Sequence, residues 1–198
     1  MSRFDLIVIG AGPGGYEIAA EEAAKGRSVA IVERDSLGGT CLNRGCIPTK
    51  CLCASAETVN TVKNAAAFGV EASVAGFSYP AAAARMREVV DGLRQGVESL
   101  LSGCTVIRGE ARLTGTGEVA VDDTTYSAAK ILIATGSRPA SLAVDGADKT
   151  LSSDDVLALD ALPASAVIIG AGVIGMEFAS ILNAFGVDVT VIEYCKEI

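Results

Sequence analysis

Two cysteines in one glycine- and proline-rich stretch are the residues with the clearest capacity for chemistry in this chain. Cys41 and Cys46 stand five positions apart in GGTCLNRGCIPTK, residues 38–50. Thiols at this spacing could bind a metal, form a structural disulfide or act as a redox pair. The stretch alone does not decide among these three uses, so its neighbours have to be considered.

The cysteine spacing argues against a structural zinc site. From Cys41 to Cys53 the four cysteines are separated by five, five and two positions, whereas zinc sites usually combine two CxxC or CxxH ligand pairs. The chain has no histidine, which removes histidine as a metal ligand and as an acid–base group. We therefore predict no metal site. The cysteines best interpreted as small buried apolar side chains are Cys51, Cys53, Cys104 and Cys195.

The redox interpretation depends on the chain around the two sulfurs. The sulfurs of Cys41 and Cys46 can pair only if the chain turns back between them, and LNRG supplies Asn and Gly for such a turn. IPTK predicts the start of a helix, with Pro48 in its first turn. Cys46 would then lie where the helix dipole stabilises a thiolate, and Lys50 would add positive charge nearby. Simple burial of both thiols is the alternative.

Two segments of the chain match each other and organise the whole sequence. Residues 10–33 and 170–193 align without a gap over 24 residues. Each follows an apolar strand, opens a helix through GxGxxG and ends in a second apolar strand with Glu as its last residue. This arrangement is the fingerprint of a dinucleotide-binding unit. A glycine-rich turn before an ordinary helix is the alternative.

Each residue of the fingerprint has a physical role. The first glycine permits a tight turn, the second lets a pyrophosphate approach the backbone, and the third lets helix and strand pack closely. The helix N-terminus offers N–H groups to phosphates, and the acid accepts ribose hydroxyls. These residues are Gly10, Gly12, Gly15 and Glu33, and again Gly170, Gly172, Gly175 and Glu193. Two motifs predict two dinucleotides. Because no arginine closely follows Glu193, the second is expected to be NAD rather than NADP.

The segment between the repeats predicts further helices and strands. Residues 51–68 and 80–101 have helical patterns. The runs TVIRGEARL, EVAVDD and AAKILIATG indicate short strands. A polar, turn-rich segment then predicts a domain boundary near residues 140–160.

Composition limits the possible partners. The chain has 198 residues, of which half are hydrophobic, and a net charge of −8. The acidity argues against nucleic acid and anionic membrane surfaces. No apolar run approaches the ~20 residues of a membrane span, and the N-terminus has no signal-peptide pattern. We expect a globular cytoplasmic protein.

Taken in order, these motifs resemble those of the flavin disulfide reductases, the class I pyridine nucleotide-disulfide oxidoreductase family. The resemblance covers residues 4–198 and is carried by GAGPGG, GGTCLNRGCIPTK, ILIATGSRP and GAGVIGME with VIE. It is greatest to the members that oxidise protein-bound dihydrolipoamide to lipoamide with NAD+. The alternatives are another member, such as glutathione or mercuric reductase, and a non-catalytic FAD-binding module.

The resemblance implies a role for each matching position. Cys41 and Cys46 would form a redox disulfide in which Cys41 exchanges with the dithiol substrate and Cys46 faces the flavin. The positions implied for FAD are Gly10, Gly12, Pro13, Gly14, Gly15, Glu33, Arg34, Gly38, Gly39, Thr40, Lys50, Ala111, Thr135, Gly136 and Ser137. Those implied for NAD are Gly170, Gly172, Val173, Ile174, Gly175 and Glu193.

The resemblance also implies an α/β fold with two Rossmann-like domains. Residues 1–145 would form an FAD-binding domain with a central parallel sheet and a small β-meander, and residues 146–198 the start of an NAD-binding domain. Family members are more than twice this long and add a dimerisation domain carrying a His–Glu pair. We therefore expect this chain to be the N-terminal part of a homodimeric enzyme, inactive alone. Its partner would be a lipoyl-bearing protein of 2-oxo acid dehydrogenase or glycine cleavage complexes.

Overall fold

The structure is a computed structural model that describes residues 3–140 and 142–196. Its strands are β1 (Arg3–Ile9), β2 (Val29–Glu33), β3 (Thr105–Arg108), β4 (Ala111–Gly115), β5 (Glu118–Val121), β6 (Thr124–Ile133), β7 (Ser165–Ile169) and β8 (Asp188–Ile192). Its α-helices are α1 (Pro13–Ala24), α2 (Gly39–Arg44), α3 (Cys46–Lys63), α4 (Tyr79–Leu100), α5 (Ser153–Leu157) and α6 (Val173–Ala184). These elements form two compact units.

The first unit contains the described residues up to Gly45 and residues Val90–Ala140. Its six-stranded sheet has the order β3-β2-β1-β6-β5-β4. The first four strands of this order are parallel, and β6, β5 and β4 are antiparallel neighbours. The predicted meander therefore continues the parallel sheet. The aliphatic runs of β1 and β2 are buried in the middle of the sheet, as expected for parallel strands covered on both faces.

The second unit contains Cys46–Val89 and the described residues of 141–198. Strands β7 and β8 pair in parallel, and the apolar helix α6 connects them. Helix α3 packs along α6. The core that they share with the start of α4 and with α5 includes Leu52, Met86, Leu157, Phe178 and Ile181. This unit therefore combines the second fingerprint with the helices that follow the cysteine stretch.

The predicted α/β fold class is confirmed, and the helices at 51–68 and 80–101 correspond to α3, with a short 3-10 turn after it, and α4. The division into domains at residue 145 stays a prediction. Residues 46–89, which that division places in the first domain, belong to the compact unit of the second fingerprint.

Three details of the sequence interpretation were wrong. The run TVIRGEARL is not one strand, because Gly109 with φ +142° separates β3 and β4, which lie at opposite edges of the sheet. The residues of LNRG do not all form a turn, because Leu42, Asn43 and Arg44 belong to α2. Cys195 is exposed rather than buried, because it lies beyond the end of β8.

No helix within residues 3–140 and 142–196 combines the length and the apolar character that crossing a bilayer requires.

The contact between Gly15 and Gly10 yields a stability prediction. A Cβ at Gly15 would overlap the Gly10 carbonyl oxygen, whereas a Cβ at the neighbouring Gly14 would meet nothing within 4 Å. We expect Gly15→Ala to lower the free energy of unfolding by roughly 1–3 kcal/mol. The matched change Gly14→Ala should be neutral or raise it by up to about 1 kcal/mol through helix propensity. Urea unfolding followed by circular dichroism measures both, and equal effects would refute the packing role of Gly15.

Candidate nucleotide and thiol site

The first fingerprint forms a tight turn between β1 and α1. Gly10 has φ +102°, and a Cβ there would overlap the carbonyl oxygen of Ala134. Helix α1 then begins at Pro13 with Gly12 as its N-cap, and no side chain caps this end. An uncapped helix N-terminus beside a cleft is suited to phosphate groups. The tight turn predicted at Gly10 therefore agrees with the geometry of this loop, whereas the approach of a pyrophosphate to Gly12 stays a prediction.

Glu33 ties the loop to the end of β2. Its Oε2 accepts a hydrogen bond from the Ala11 N–H at 2.7 Å, and its Oε1 accepts one from the Asp35 N–H at 2.8 Å. A carboxylate has about four acceptor sites, so this side chain can still accept hydroxyl groups. Glu33 can therefore hold the loop and bind a ribose at the same time.

These residues open onto a cleft of about 490 Å³ within the first unit. A volume of this size is typical of small-molecule and cofactor sites. The residues predicted for FAD that line the cleft are Gly10, Gly12, Pro13, Gly14, Glu33, Arg34, Gly39, Thr40, Ala111, Thr135, Gly136 and Ser137. Cys41 lines the same cleft. Five chain segments that are distant in sequence thus converge on one concave surface.

Of the residues predicted for FAD and the thiol pair, four are not part of the cleft lining. Gly15 and Gly38 are buried behind it, where each supports a helix start. Cys46 and Lys50 belong to the second unit and are exposed on α3. The boundary between the two compact units therefore falls between the two cysteines of the predicted pair.

Sequence reasoning missed part of the lining. The unpredicted residues are Ile9, Val32, Asp35, Arg44, Gly109, Glu110 and Ala134. Most of them directly precede or follow a predicted residue. The signal that could have found them is the rule that ligands bind at the carboxyl ends of parallel strands, because Ile9 and Val32 lie at the ends of β1 and β2.

Backbone contacts position Cys41 beside the nucleotide loop. A Cβ on Gly39, the first residue of α2, would lie 2.6 Å from the Gly12 Cα, so this approach requires glycine. A Cβ on Gly45 would lie 2.9 Å from the Thr40 carbonyl oxygen and 3.2 Å from the Cys41 Cα. Cys41 therefore lies in a short helix that begins in close backbone contact with the nucleotide loop and ends where Gly45 packs against Thr40 and Cys41 of the same helix.

Cys46 is the first residue of α3, as the sequence predicted for a helix beginning near IPTK. Pro48 is buried in the first turn, where its missing N–H removes no helical hydrogen bond. Cys46 is exposed and Cys41 is partly buried, and both carry thiol groups in the structure.

Charged side chains line the cleft. Arg44 pairs with Asp35 at 2.7 Å, and Arg34 pairs with Glu110 at 3.3 Å. These exposed pairs contribute little stability, but they place two guanidinium groups among the lining residues. Burial raises the pKa of Tyr16, and the charges of Glu17 and Cys41 raise it further. The Tyr16 phenol of α1 therefore stays neutral at physiological pH.

The second fingerprint repeats this geometry within the second unit. Gly170 has φ +104°, and a Cβ on Gly175 would overlap the Gly170 carbonyl oxygen. Helix α6 begins at Val173 with Gly172 as its N-cap. At the start of α6, Val173 and Ile174 are 77% and 60% exposed. A ligand could therefore reach the glycine-rich loop from solvent.

Glu193 has the same role as Glu33. Its Oε1 accepts the Cys195 N–H at 2.7 Å and its Oε2 accepts the Ala171 N–H at 2.6 Å. The hydrogen bonds from Cys195 and Ala171 lower the pKa of Glu193 below its ordinary value. The ionised carboxylate is therefore the stable form at neutral pH, and it can accept ribose hydroxyls.

Within the described parts of the chain, no three Cys, Asp or Glu side chains come together in a way that could hold a metal ion.

Comparison with known proteins agrees with this geometry. The family described as pyridine nucleotide-disulphide oxidoreductase matches residues 4–198. Dihydrolipoyl dehydrogenase of Chlamydia pneumoniae is 45% identical over 197 residues, which cover 96% of this chain and 43% of that protein. The Bacillus subtilis protein of the same name is 40% identical over 215 residues, covering 100% of this chain and 45% of that protein.

A solved structure shares the fold. The flavoprotein disulfide reductase RclA of Escherichia coli, determined as a copper(II) complex, superposes with a TM-score of 0.85 at 30% identity. The match covers 99% of this chain and 43% of that one. The chain thus spans less than half the length of these three relatives. On the family match over residues 4–198, the chain belongs to the pyridine nucleotide-disulphide oxidoreductase family.

Proposed function

We propose that this chain carries the FAD site, the redox thiols and the first part of the NAD site of an enzyme that oxidises protein-bound dihydrolipoamide to lipoamide with NAD+. The observation that carries the proposal is the position of Cys41 in the wall of the cleft that the first fingerprint lines. A module that only bound a nucleotide would need no thiol there. A thiol beside a flavin site is suited to dithiol–disulfide chemistry.

The cleft fits the adenosine diphosphate half of FAD. Gly12, Pro13 and Gly14 offer a helix N-terminus to the pyrophosphate. Glu33 retains acceptor sites for the ribose hydroxyls. Ala111 and the segment 135–137 line the same cleft. When bound, FAD supplies a two-electron acceptor beside the thiols.

The proposed thiol chemistry consists of two successive exchange steps. In the oxidised enzyme Cys41 and Cys46 form a disulfide. One substrate thiolate attacks the Cys41 sulfur, which breaks the bond to Cys46 and leaves a Cys46 thiolate at the start of α3. The second substrate thiolate attacks the substrate sulfur in the mixed disulfide, which releases lipoamide and the Cys41 thiolate. The two electrons left on the thiols would go to NAD+ as Cys41 and Cys46 re-form their disulfide. Overall, dihydrolipoamide and NAD+ become lipoamide, NADH and a proton.

The second fingerprint supports NAD rather than NADP. The Glu193 carboxylate is fixed at the end of β8 by two backbone N–H groups. Its negative charge would repel the 2′-phosphate of NADP, whereas the 2′-hydroxyl of NAD can donate a hydrogen bond to it.

The substrate assignment is supported by the relatives named dihydrolipoyl dehydrogenase. They favour dihydrolipoamide over the substrates of glutathione or mercuric reductases. A lipoyl-bearing protein of a 2-oxo acid dehydrogenase or glycine cleavage complex is the proposed partner, with a homodimer as the assembled enzyme. A cytoplasmic location suits cysteines that work as thiols, because that compartment is reducing.

Single cysteine variants test the proposed roles. With FAD bound, Cys41→Ser would leave the Cys46 sulfur to face the oxidised flavin, and we expect a long-wavelength charge-transfer absorbance. Cys46→Ser should lack this absorbance, because Cys41 is the thiol that serves the substrate. Visible spectra of the two variants measure it, and flavin fluorescence checks that both bind FAD equally. The proposal fails if FAD does not bind or if the absorbance appears in Cys46→Ser.

A further inference from the structure

Helix α2 carries Cys41 but is too short to be stable alone. It contains six residues, Gly39–Arg44, and no side chain caps its N-terminus at Gly38. Isolated helices shorter than about 12 residues are marginal in water. The position of Cys41 therefore depends on contacts that other residues make with this single short helix.

Asn43 supplies the contacts that close α2 on itself. Its Nδ2 donates hydrogen bonds to the Leu37 and Gly39 carbonyl oxygens, both at 2.9 Å. These carbonyls lie where the chain enters the helix, whereas Asn43 lies near its end. The amide therefore ties the last turn of α2 to its first, and Cys41 lies between the two.

Arg94 binds the oxygen of the Asn43 side-chain amide. Its Nε and Nη2 donate to the Asn43 Oδ1 at 3.0 and 2.9 Å. Its Nη1 pairs with Asp91 at 2.8 Å, which orients the guanidinium on α4. Both donors and both acceptor sites of the Asn43 side chain are thus used. A flipped amide would present its NH₂ group to a cation, so the side chain has one favourable orientation.

The segment after Asn43 then returns to Cys41. A Cβ on Gly45, the residue that ends α2, would lie 2.9 Å from the Thr40 carbonyl oxygen and 3.2 Å from the Cys41 Cα, so the end of the helix packs closely against the residues around the thiol. Any shift of Asn43 would therefore also shift the backbone of Cys41, which belongs to the same helix.

We propose that Asn43, held by Arg94, is a positioning residue that sets the direction of the Cys41 thiol for exchange with its partner sulfur. This inference rests on the proposed function, because it assumes that Cys41 and Cys46 pair. Thiol–disulfide exchange depends on the alignment of the reacting sulfurs, and a displacement of about 1 Å can cost about a hundredfold in an oriented reaction.

The test uses Asn43→Asp, which keeps an acceptor for Arg94 but removes both donors to the Leu37 and Gly39 carbonyls. A second variant, Arg94→Met, removes the guanidinium and keeps the apolar stem. Asn60→Asp makes the same chemical change as Asn43→Asp at an exposed position of α3 and is the matched control.

The readout is the equilibrium constant for forming the Cys41–Cys46 disulfide in a buffer of reduced and oxidised glutathione. One glutathione disulfide oxidises the two thiols and is reduced to two glutathione molecules. Because trypsin cleaves after Arg44, the disulfide joins two tryptic peptides, and mass spectrometry of the acid-quenched protein quantifies it.

We expect Asn43→Asp and Arg94→Met each to lower this constant about tenfold or more, because a loosened α2 lowers the effective concentration of the Cys41 sulfur at its partner. Asn60→Asp should leave the constant unchanged. Urea unfolding of the same variants gives the folded fraction. A constant that is unchanged in folded Asn43→Asp and Arg94→Met overturns the proposal, and so does a fall that only follows the unfolded fraction. The readout needs neither FAD nor dihydrolipoamide. A failed positioning role is therefore distinguishable from a failed enzymatic assignment, which a dihydrolipoamide assay of the unchanged protein tests separately.

Discussion

Both dinucleotide-binding units depend on one backbone contact, in which the third glycine of the motif meets the carbonyl oxygen of the first. At Gly15 and at Gly175 any Cβ would overlap that oxygen. The contact lets a helix begin directly against the end of a strand. The glutamate that follows the second strand of each unit then ties the loop down, through the Ala11 N–H and the Ala171 N–H. The loop geometry is thus set by the protein itself, which reduces the ordering that a nucleotide would otherwise have to impose.

In the first unit the same kind of contact extends from the nucleotide loop to the thiol. Gly12 touches Gly39 at the start of α2, and Gly45 touches Thr40 and Cys41 at its end. Each contact brings two backbones together where a side chain would keep them apart. The position of Cys41 in the cleft wall is therefore a consequence of close packing, with side-chain hydrogen bonds from Asn43 closing the short helix.

Much of this arrangement could be predicted from the sequence, because the fingerprint is a local pattern. The pattern consists of glycines at fixed spacing after an apolar strand and an acid 23 residues after the first glycine. The contacts that these residues make lie within the same strand–helix–strand unit. The roles of Gly10, Gly15 and Glu33 follow from that pattern. The start of α3 could be predicted for the same reason, since Pro48 and the helix dipole act within one turn.

The features that were missed depend on residues distant in sequence. Asparagine is common in turns, but Asn43 lies in helix α2. Its side-chain oxygen accepts a hydrogen bond from Arg94, which is 51 positions later in the sequence. The strands β3 and β4 are near neighbours in sequence, yet Gly109 sends them to opposite edges of the sheet. Helix α3 begins at the cysteine stretch, yet it packs along α6. The apolar face of α6 is not covered by strands β7 and β8 alone, and α3 covers part of it. No local pattern contains these pairings.

The central claim is that the two fingerprints bind two different dinucleotides, FAD at the first and NAD at the second. Calorimetric titration of the chain with each ligand, repeated for Glu33→Gln and Glu193→Gln, tests it most directly. Glutamine keeps the shape of the side chain but provides a single acceptor oxygen. The account predicts that Glu33→Gln weakens only FAD binding and that Glu193→Gln weakens only NAD binding. If both substitutions weakened the same ligand, or if neither changed binding, the assignment of the two sites would be contradicted.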